Sequence, residues 1–292
     1  MIISYLSGGI GNQLFQFAMG LSMAKRKNIE LLFDVNSFRW DNLREFELQK
    51  LGIDYNIASD ELIFKIKNTP SNFISKIKKR LNIEIPYYQQ SYIKEQDFEY
   101  DLNFQKFNSN NVYFEGYWQS ENYFRDIRGS ILKSITFDNL SNECLEFKNN
   151  ISKSLNSVSL HIRRGDYAQN PETNEYHGLM GINYYKSSIE ILNSKLNNPT
   201  FFVFSDDKSY AKSLFDGKEN FIVIDSKFED YEELFLMSKC EHQIIANSSF
   251  SWWGAWLNQN KNKNVIAPKN WFKNQEMQSK TKDLIPKEWM RI

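Results

Sequence analysis

Cysteine is nearly missing from this chain: Cys144 and Cys240 are the only two in 292 residues, with no C-x-x-C pair and no histidine at ligand spacing. A disulfide framework and a zinc site are thereby excluded, and a reducing cytoplasm fits. Long apolar runs are missing too, since stretches such as "FIVI" (221–224) are far too short to span a bilayer. The first residues, "MIISYLSGGIGNQ", have no basic region and turn glycine-rich and polar within seven positions. They read as a first core strand rather than a signal peptide. Net charge is lacking, with 36 Lys+Arg against 36 Asp+Glu, so no global field draws in nucleic acid or an anionic membrane.

Several nucleotide motifs are missing as well. There is no G-x-x-x-x-G-K-[ST] loop and no D-x-D triplet. The glycine turn "SGGIGNQLFQ" sits at a strand–helix junction, with Asp34 ending the next strand as a ribose carboxylate would. The dinucleotide spacing fails, because Leu14 stands where Gly9-x-Gly11-x-x requires a small residue. The glycines instead suit close backbone approach to a ligand, with Asn12 or Gln13 as polar contacts.

What is present is ordinary globular composition, 41% hydrophobic and 25% charged, in a chain long enough to favour two domains. Aromatics reach 15%, a share that serves either core packing or a stacking surface. The chain opens with a βαβ unit: "IISYL", a helix with Leu14, Phe17, Leu21 and Ala24 on one face, then "IELLFDV". Residues 55–110 are less regular, and "NVYFEGYW" is strand-like again. Polar "FKNNISKSLN" (147–156) suggests a junction, giving domains 1–152 and 153–292. Beyond it, "SVSLHI", "TFFVF", "NFIVI" and "HQIIA" alternate with helices near 182–196, 208–215 and 231–240, and a last helix in "NSSFSWWGAWL". Alternation in both halves implies two α/β domains with mostly parallel sheets.

In such sheets ligands bind beyond the carboxyl ends of the strands. Four ends carry polar or flexible groups: Gly8–Asn12, His161–Asp166, Ser205–Asp207 and Asn247–Ser251. In "HIRRGDY", His161 and Arg163 share a face of the extended chain and Arg164 points elsewhere. Two adjacent guanidiniums suit a diphosphate, which offers both charge and bidentate geometry, and Gly165 lets the chain turn. Asn247, Ser248 and Ser249 cap a helix whose first N–H groups form an anion site, while Trp252, Trp253 and Trp256 pack in the core. Ser205, Asp206 and Asp207 could hold a metal, act as acid and base, or accept hydrogen bonds from a base or ribose.

Six blocks, "GGIGNQLFQFAMG", "GYWQSENYF", "HIRRGDY", "HGL…NYYKSSIEIL", "FSDD" and "NSSFSWWGAWL", resemble in order and spacing the bacterial α-1,2-fucosyltransferases. The resemblance implies a GT-B architecture, two Rossmann-like domains facing across a cleft. It implies inverting transfer from GDP-β-L-fucose to the 2-hydroxyl of a β-galactoside, with no metal and no other cofactor. Arg163 would bind the β-phosphate with support from Arg164; His161 and one of Asp206 and Asp207 would meet the guanine or ribose. Ser248, Ser249, Phe250 and Ser251, beside Asn247 and Ser205, would line the nucleotide, and the turn Gly9, Gly11 and Asn12 would close over it. Asp166 is a candidate base, with His177 as another possibility. "GYWQSENYF" would offer aromatic surface to the acceptor, and "KIKKR" (76–80) could approach a lipid-linked acceptor at the membrane. A nicotinamide oxidoreductase is disfavoured by the glycine spacing. A carbohydrate-binding module would leave the arginines and the serine cap without a role.

Overall fold

The computed structural model describes residues 1–68, 86–107, 109–165, 174–176 and 178–292. The expectations for Asp166, His177 and the basic run 76–80 lie outside the described residues. The chain divides into two compact units, Met1–Thr136 and Phe137–Ile292.

The first unit holds a four-stranded parallel sheet of order β2-β1-β4-β3, with β1 Ile2–Tyr5, β2 Leu31–Asp34, β3 Tyr92–Lys94 and β4 Val112–Glu115. Helix α1, Ile10–Lys27, is buried on most sides and ends at Asn28 in the left-handed conformation. The amides of Asn28 and Ile29 return to the carbonyls of Lys25 and Ala24, and Lys25–Lys27 complement the dipole there. Helices α2, Asp60–Asn68, and α3, Arg128–Ser134, complete the labelled helices of this unit.

The second unit carries α4 Asn142–Lys153, β5 Ser157–Ile162, α5 Ile182–Lys195, β6 Thr200–Ser205, α6 Lys208–Phe215 and β7 Phe221–Val223. It continues with α7 Asp230–Lys239, β8 His242–Ile244, α8 Ser249–Leu257, β9 Val265–Ala267, α9 Gln275–Ser279 and β10 Met290–Arg291. All pairings are parallel, in the order β7-β6-β5-β8-β9-β10. Counted from β5 this is 3-2-1-4-5-6, the doubly wound order, which reverses direction between β5 and β8.

The period-2 side-chain alternation explains the layers. Phe201 and Val203 join Val158, Leu160 and Ile162 in a core with Tyr185 and Leu192 of α5 and Ala211 and Phe215 of α6. Phe202 and Phe204 point the other way, into Cys144 and Ile151 of α4 and Phe235, Leu236 and Met237 of α7. Each fully buried phenylalanine contributes about 2–3 kcal/mol. β5 is buried at every position, as a central parallel strand must be.

The polar stretch 147–156 is not a linker. Its first seven residues end α4, whose exposed face supplies the Lys and Asn while Cys144 and Ile151 face the core. Ser141 caps α4, and its amide donates to Glu232 Oε1 at 2.7 Å, tying α4 to α7. The division therefore falls near Phe137, in the left-handed region at φ 52°, whose ring lies 5.2 Å from that of Phe235. No helix among the described residues is long and apolar enough to cross a membrane.

Candidate active site

In a doubly wound sheet the ligand crevice lies at the direction reversal, here at the carboxyl ends of β5 and β8, and Arg163 and Arg164 directly follow β5. Arg163 Nη1 lies 3.0 Å from Asp206 Oδ2, and Arg164 Nε lies 3.1 Å from Asp207 Oδ2. The Arg164 amide donates to Asp206 Oδ1 at 2.8 Å, so one aspartate holds both the backbone and the first guanidinium of the loop. The Arg164 guanidinium carbon lies 3.8 Å from the centre of the Tyr210 ring, a cation–π shelf. Asp207 also caps α6 by accepting from the Tyr210 amide at 2.9 Å. Asp207 and Tyr210 thus fix Arg164 while its two terminal nitrogens bond to no described residue. Gly165 is required by space: a Cβ would sit 2.6 Å from Asp206 Oδ2. The Ser205 hydroxyl accepts from the Asp207 amide at 3.0 Å and closes the turn.

His161 is 3% exposed, its ring centre 5.6 Å from that of Phe250 at the start of α8. Burial pushes its pKa down to about 4; Asp206 opposes this and Arg163 adds to it. The imidazole is neutral at ordinary pH, and Nδ1 has no hydrogen-bond partner among the described residues. Glu233, in the first turns of α7, was not singled out by the sequence. Burial pushes its carboxyl up to about 7, with Lys208 opposing and Asp230 and Asp206 adding to the rise. Its position one turn into a helix leaving a strand's carboxyl end was the available signal.

The serine-rich block divides between capping and lining. Ser248 is the N-cap of α8, accepting from the Phe250 amide at 3.3 Å, and buried Ser251 donates back to the Ala246 or Ser248 carbonyl, each at 3.3 Å. The Asn247 amide nitrogen donates to the carbonyls of Gly178 and Trp271 at 3.1 and 3.0 Å, joining two loops around an open recess of about 440 Å³. Ser249 and Phe250 are half-buried. Trp252, Trp253 and Trp256 are core residues, as expected from the sequence.

In the first unit, Gly9 is the N-cap of α1 without a side-chain cap, and buried Gly11 and half-buried Asn12 follow in the first turn. Asn12 Oδ1 accepts from Gln119 Nε2 at 2.9 Å. Of the two polar contacts considered, Gln13 is committed: its side chain donates to the Gly8 and Glu45 carbonyls at 2.8 Å each and accepts from the Glu47 amide at 2.9 Å. Asp34 accepts from the Tyr113 hydroxyl at 2.7 Å and the Asn36 amide at 2.9 Å, an internal role rather than a ribose contact. The "GYWQSENYF" block narrows the expected aromatic surface to one ring. Trp118 and Tyr123 are 1% exposed and Phe124 is 0%, leaving Tyr117, at 43%, as the ring the block displays. Glu95 accepts from the Tyr117 and Trp118 amides at 2.7 and 2.9 Å, and burial pushes its pKa up to about 7.

This geometry meets four findings from known proteins and families. A solved structure of an Arabidopsis thaliana FUT1 mutant in complex with GDP matches with a TM-score of 0.52 at 11% identity, over 98% of this chain and 74% of that one. Together with the two parallel α/β units, it makes the architecture GT-B-type. An Escherichia coli alpha-1,2-colitosyltransferase is 34% identical over 100% of this chain and 99% of its own length. The Escherichia coli O-antigen biosynthesis glycosyltransferase WbnK is 33% identical over 92% and 94%. The profile described as glycosyl transferase family 11 matches residues 1–292, and the chain belongs to that family.

Proposed function

We propose that this glycosyltransferase transfers L-fucose from GDP-β-L-fucose to the 2-hydroxyl of a β-galactoside, with inversion and without a metal, in the assembly of a surface glycan. The arginine pair beside the direction reversal carries this reading. Breaking the sugar–phosphate bond develops negative charge on the departing GDP and oxocarbenium character on the sugar. Arg164, fixed by Asp207 and Tyr210, and Arg163, held by Asp206, offer guanidiniums that need no reorganisation as that charge grows. The α8 terminus, with half-buried Ser249 beside the N-cap Ser248, adds donors of the same sense. Neutral His161 and Phe250 form a wall for the nucleoside. The acceptor hydroxyl attacks from the face opposite the diphosphate.

The 34% identity to a colitosyltransferase favours a second donor, in which the fucosyl group is replaced by its 3-deoxy analogue, colitose. The test is incubation with lactose and either GDP-fucose or GDP-colitose in EDTA, with products read by proton NMR. An α-linked fucosyl residue on the galactose 2-oxygen supports the first donor. Transfer of colitose alone replaces it, and activity only after added divalent metal overturns the metal-free mechanism.

A further inference from the structure

The loop after β4 concentrates several unfavourable features in a few residues. Trp118 has φ 57°, a left-handed conformation that is an outlier for so bulky a residue. Its indole Nε1–H is buried with no acceptor among the described residues. Gly116 passes so close to β3 that a Cβ would lie 2.4 Å from Glu95 Cβ. Glu95 itself is a carboxyl with its pKa pushed up by burial, chiefly because ionising it there costs desolvation. Strain of this kind persists only where the surroundings over-determine it, and it clusters where geometry serves binding or catalysis.

The surroundings do over-determine it. Each Glu95 oxygen takes one amide, Oε2 from Tyr117 and Oε1 from Trp118. Gln16 Nε2 donates to the Gly116 carbonyl at 3.1 Å, and the Ser120 amide closes a tight turn onto the Trp118 carbonyl at 2.8 Å. The Trp118 ring packs edge-on against Phe114 and Tyr123 at 5.7 and 5.5 Å. Two groups come out of this arrangement. Tyr117 is turned to solvent, and Gln119 reaches Asn12 in the first turn of α1. Both stand at the carboxyl edge of the first sheet, where a parallel sheet binds its ligand.

We propose that Glu95 is a positioning residue for the acceptor: its carboxylate holds Gly116–Ser120 in the strained form that presents the Tyr117 ring and the Gln119–Asn12 pair as one fixed wall. The ligand class is a sugar, whose C–H face stacks on the tyrosine while its hydroxyls meet the half-buried Asn12 amide that buried Gln119 holds from behind. This rests on the reading of the chain as a transferase whose first unit takes the acceptor. Glutamine at 95 keeps size and one carbonyl acceptor but turns an N–H₂ toward the second amide. Aspartate keeps both acceptors on a shorter stem.

The experiment compares wild type, Glu95→Gln and Glu95→Asp as full chains. Hydrogen–deuterium exchange reads the 116–120 segment, calorimetry reads GDP binding, and steady-state kinetics read the acceptor. In Glu95→Gln we expect the segment to lose protection about tenfold with the rest of the unit unchanged. Acceptor KM should rise about tenfold with GDP affinity within twofold, and Glu95→Asp should recover part of both effects. Unchanged protection and KM in Glu95→Gln overturns the proposal, as does loosening spread across the whole unit with kcat and KM falling together. A wild-type chain that transfers no sugar overturns the transferase reading, while the exchange data still decide whether Glu95 holds the loop.

Discussion

Arg163 and Asp206 pair at 3.0 Å across the carboxyl ends of adjacent strands, so the site keeps a guanidinium aimed at the crevice by a partner from its neighbour. Arg163→Ala should lower kcat about a hundredfold, near 3 kcal/mol, the scale for losing one preorganised donor. Arg163→Lys should restore little, because an ammonium cannot reproduce the fork. Asp206→Asn retains an acceptor for the Arg164 amide but removes the charge facing Arg163. We expect kcat to fall about tenfold with GDP affinity within threefold. Lost GDP binding in that variant, with inorganic diphosphate still bound, would place Asp206 on the nucleoside instead. Calorimetry with both ligands separates these outcomes.

Tyr210 is predicted to matter through Arg164 alone. Tyr210→Leu keeps an apolar body on the core cluster of β5, β6 and α5 but removes the ring face under the guanidinium at 3.8 Å. The loss should be about 1 kcal/mol, roughly fivefold in GDP affinity, with the thermal midpoint little changed. A large drop in Tm without loss of GDP affinity would make the ring a packing group.

Gly165→Ala tests the close approach of the loop to its aspartate. The new Cβ would fall 2.6 Å from Asp206 Oδ2, so the carboxylate must leave either Arg163 or the Arg164 amide. GDP affinity and kcat should both fall at least about tenfold, with Tm within about 2 °C of wild type because the loop is at the surface. Wild-type kinetics would show that the loop relaxes freely and that its spacing is not a constraint.

The buried strands were readable because four to six residues of β-branched and aromatic side chains complete a period, as in Thr200–Ser205. β3, β9 and β10 escaped the sequence reading, because their apolar stretches are no longer than their two- or three-residue ladders; β7 and β8 are as short, but the apolar runs "FIVI" and "IIA" extend beyond them and marked them. The junction was misplaced because a solvent-facing helix surface of Asn and Lys has a linker's composition. On the site, local order was enough: Arg163, Arg164, Asp206 and Asp207 sit at strand ends marked by the strands themselves. Long-range roles were not readable. Glu95 stands 22 and 23 residues from the amides it accepts, and Gln119 stands 107 from Asn12. No periodicity or motif spacing encodes such a pair, since only the β1-β4-β3 pairing brings them together.

His161 makes stability fall in acid, with a sign fixed by its shift. Its folded pKa, about 4, lies below the ordinary imidazole value of 6.5, so the unfolded chain takes up the proton first as pH drops. Its contribution is complete above pH 6.5 and is lost progressively toward pH 4, by at most on the order of 3 kcal/mol. Glu95 and Glu233 act oppositely: their folded values, each about 7, exceed 4.5, so the folded state gains relative stability as pH falls from 7 to 4.5. The net curve therefore hides each group, and variants are needed to separate them. His161→Gln removes the titrating imidazole while retaining a polar side chain beside Phe250. Urea midpoints taken from pH 7.5 to 4 should fall less steeply for His161→Gln than for wild type, with the two curves diverging most between pH 6 and 4.5. Parallel curves would mean that the imidazole protonates in the folded protein, as it would if the nucleoside wall of His161 and Phe250 opened readily to water.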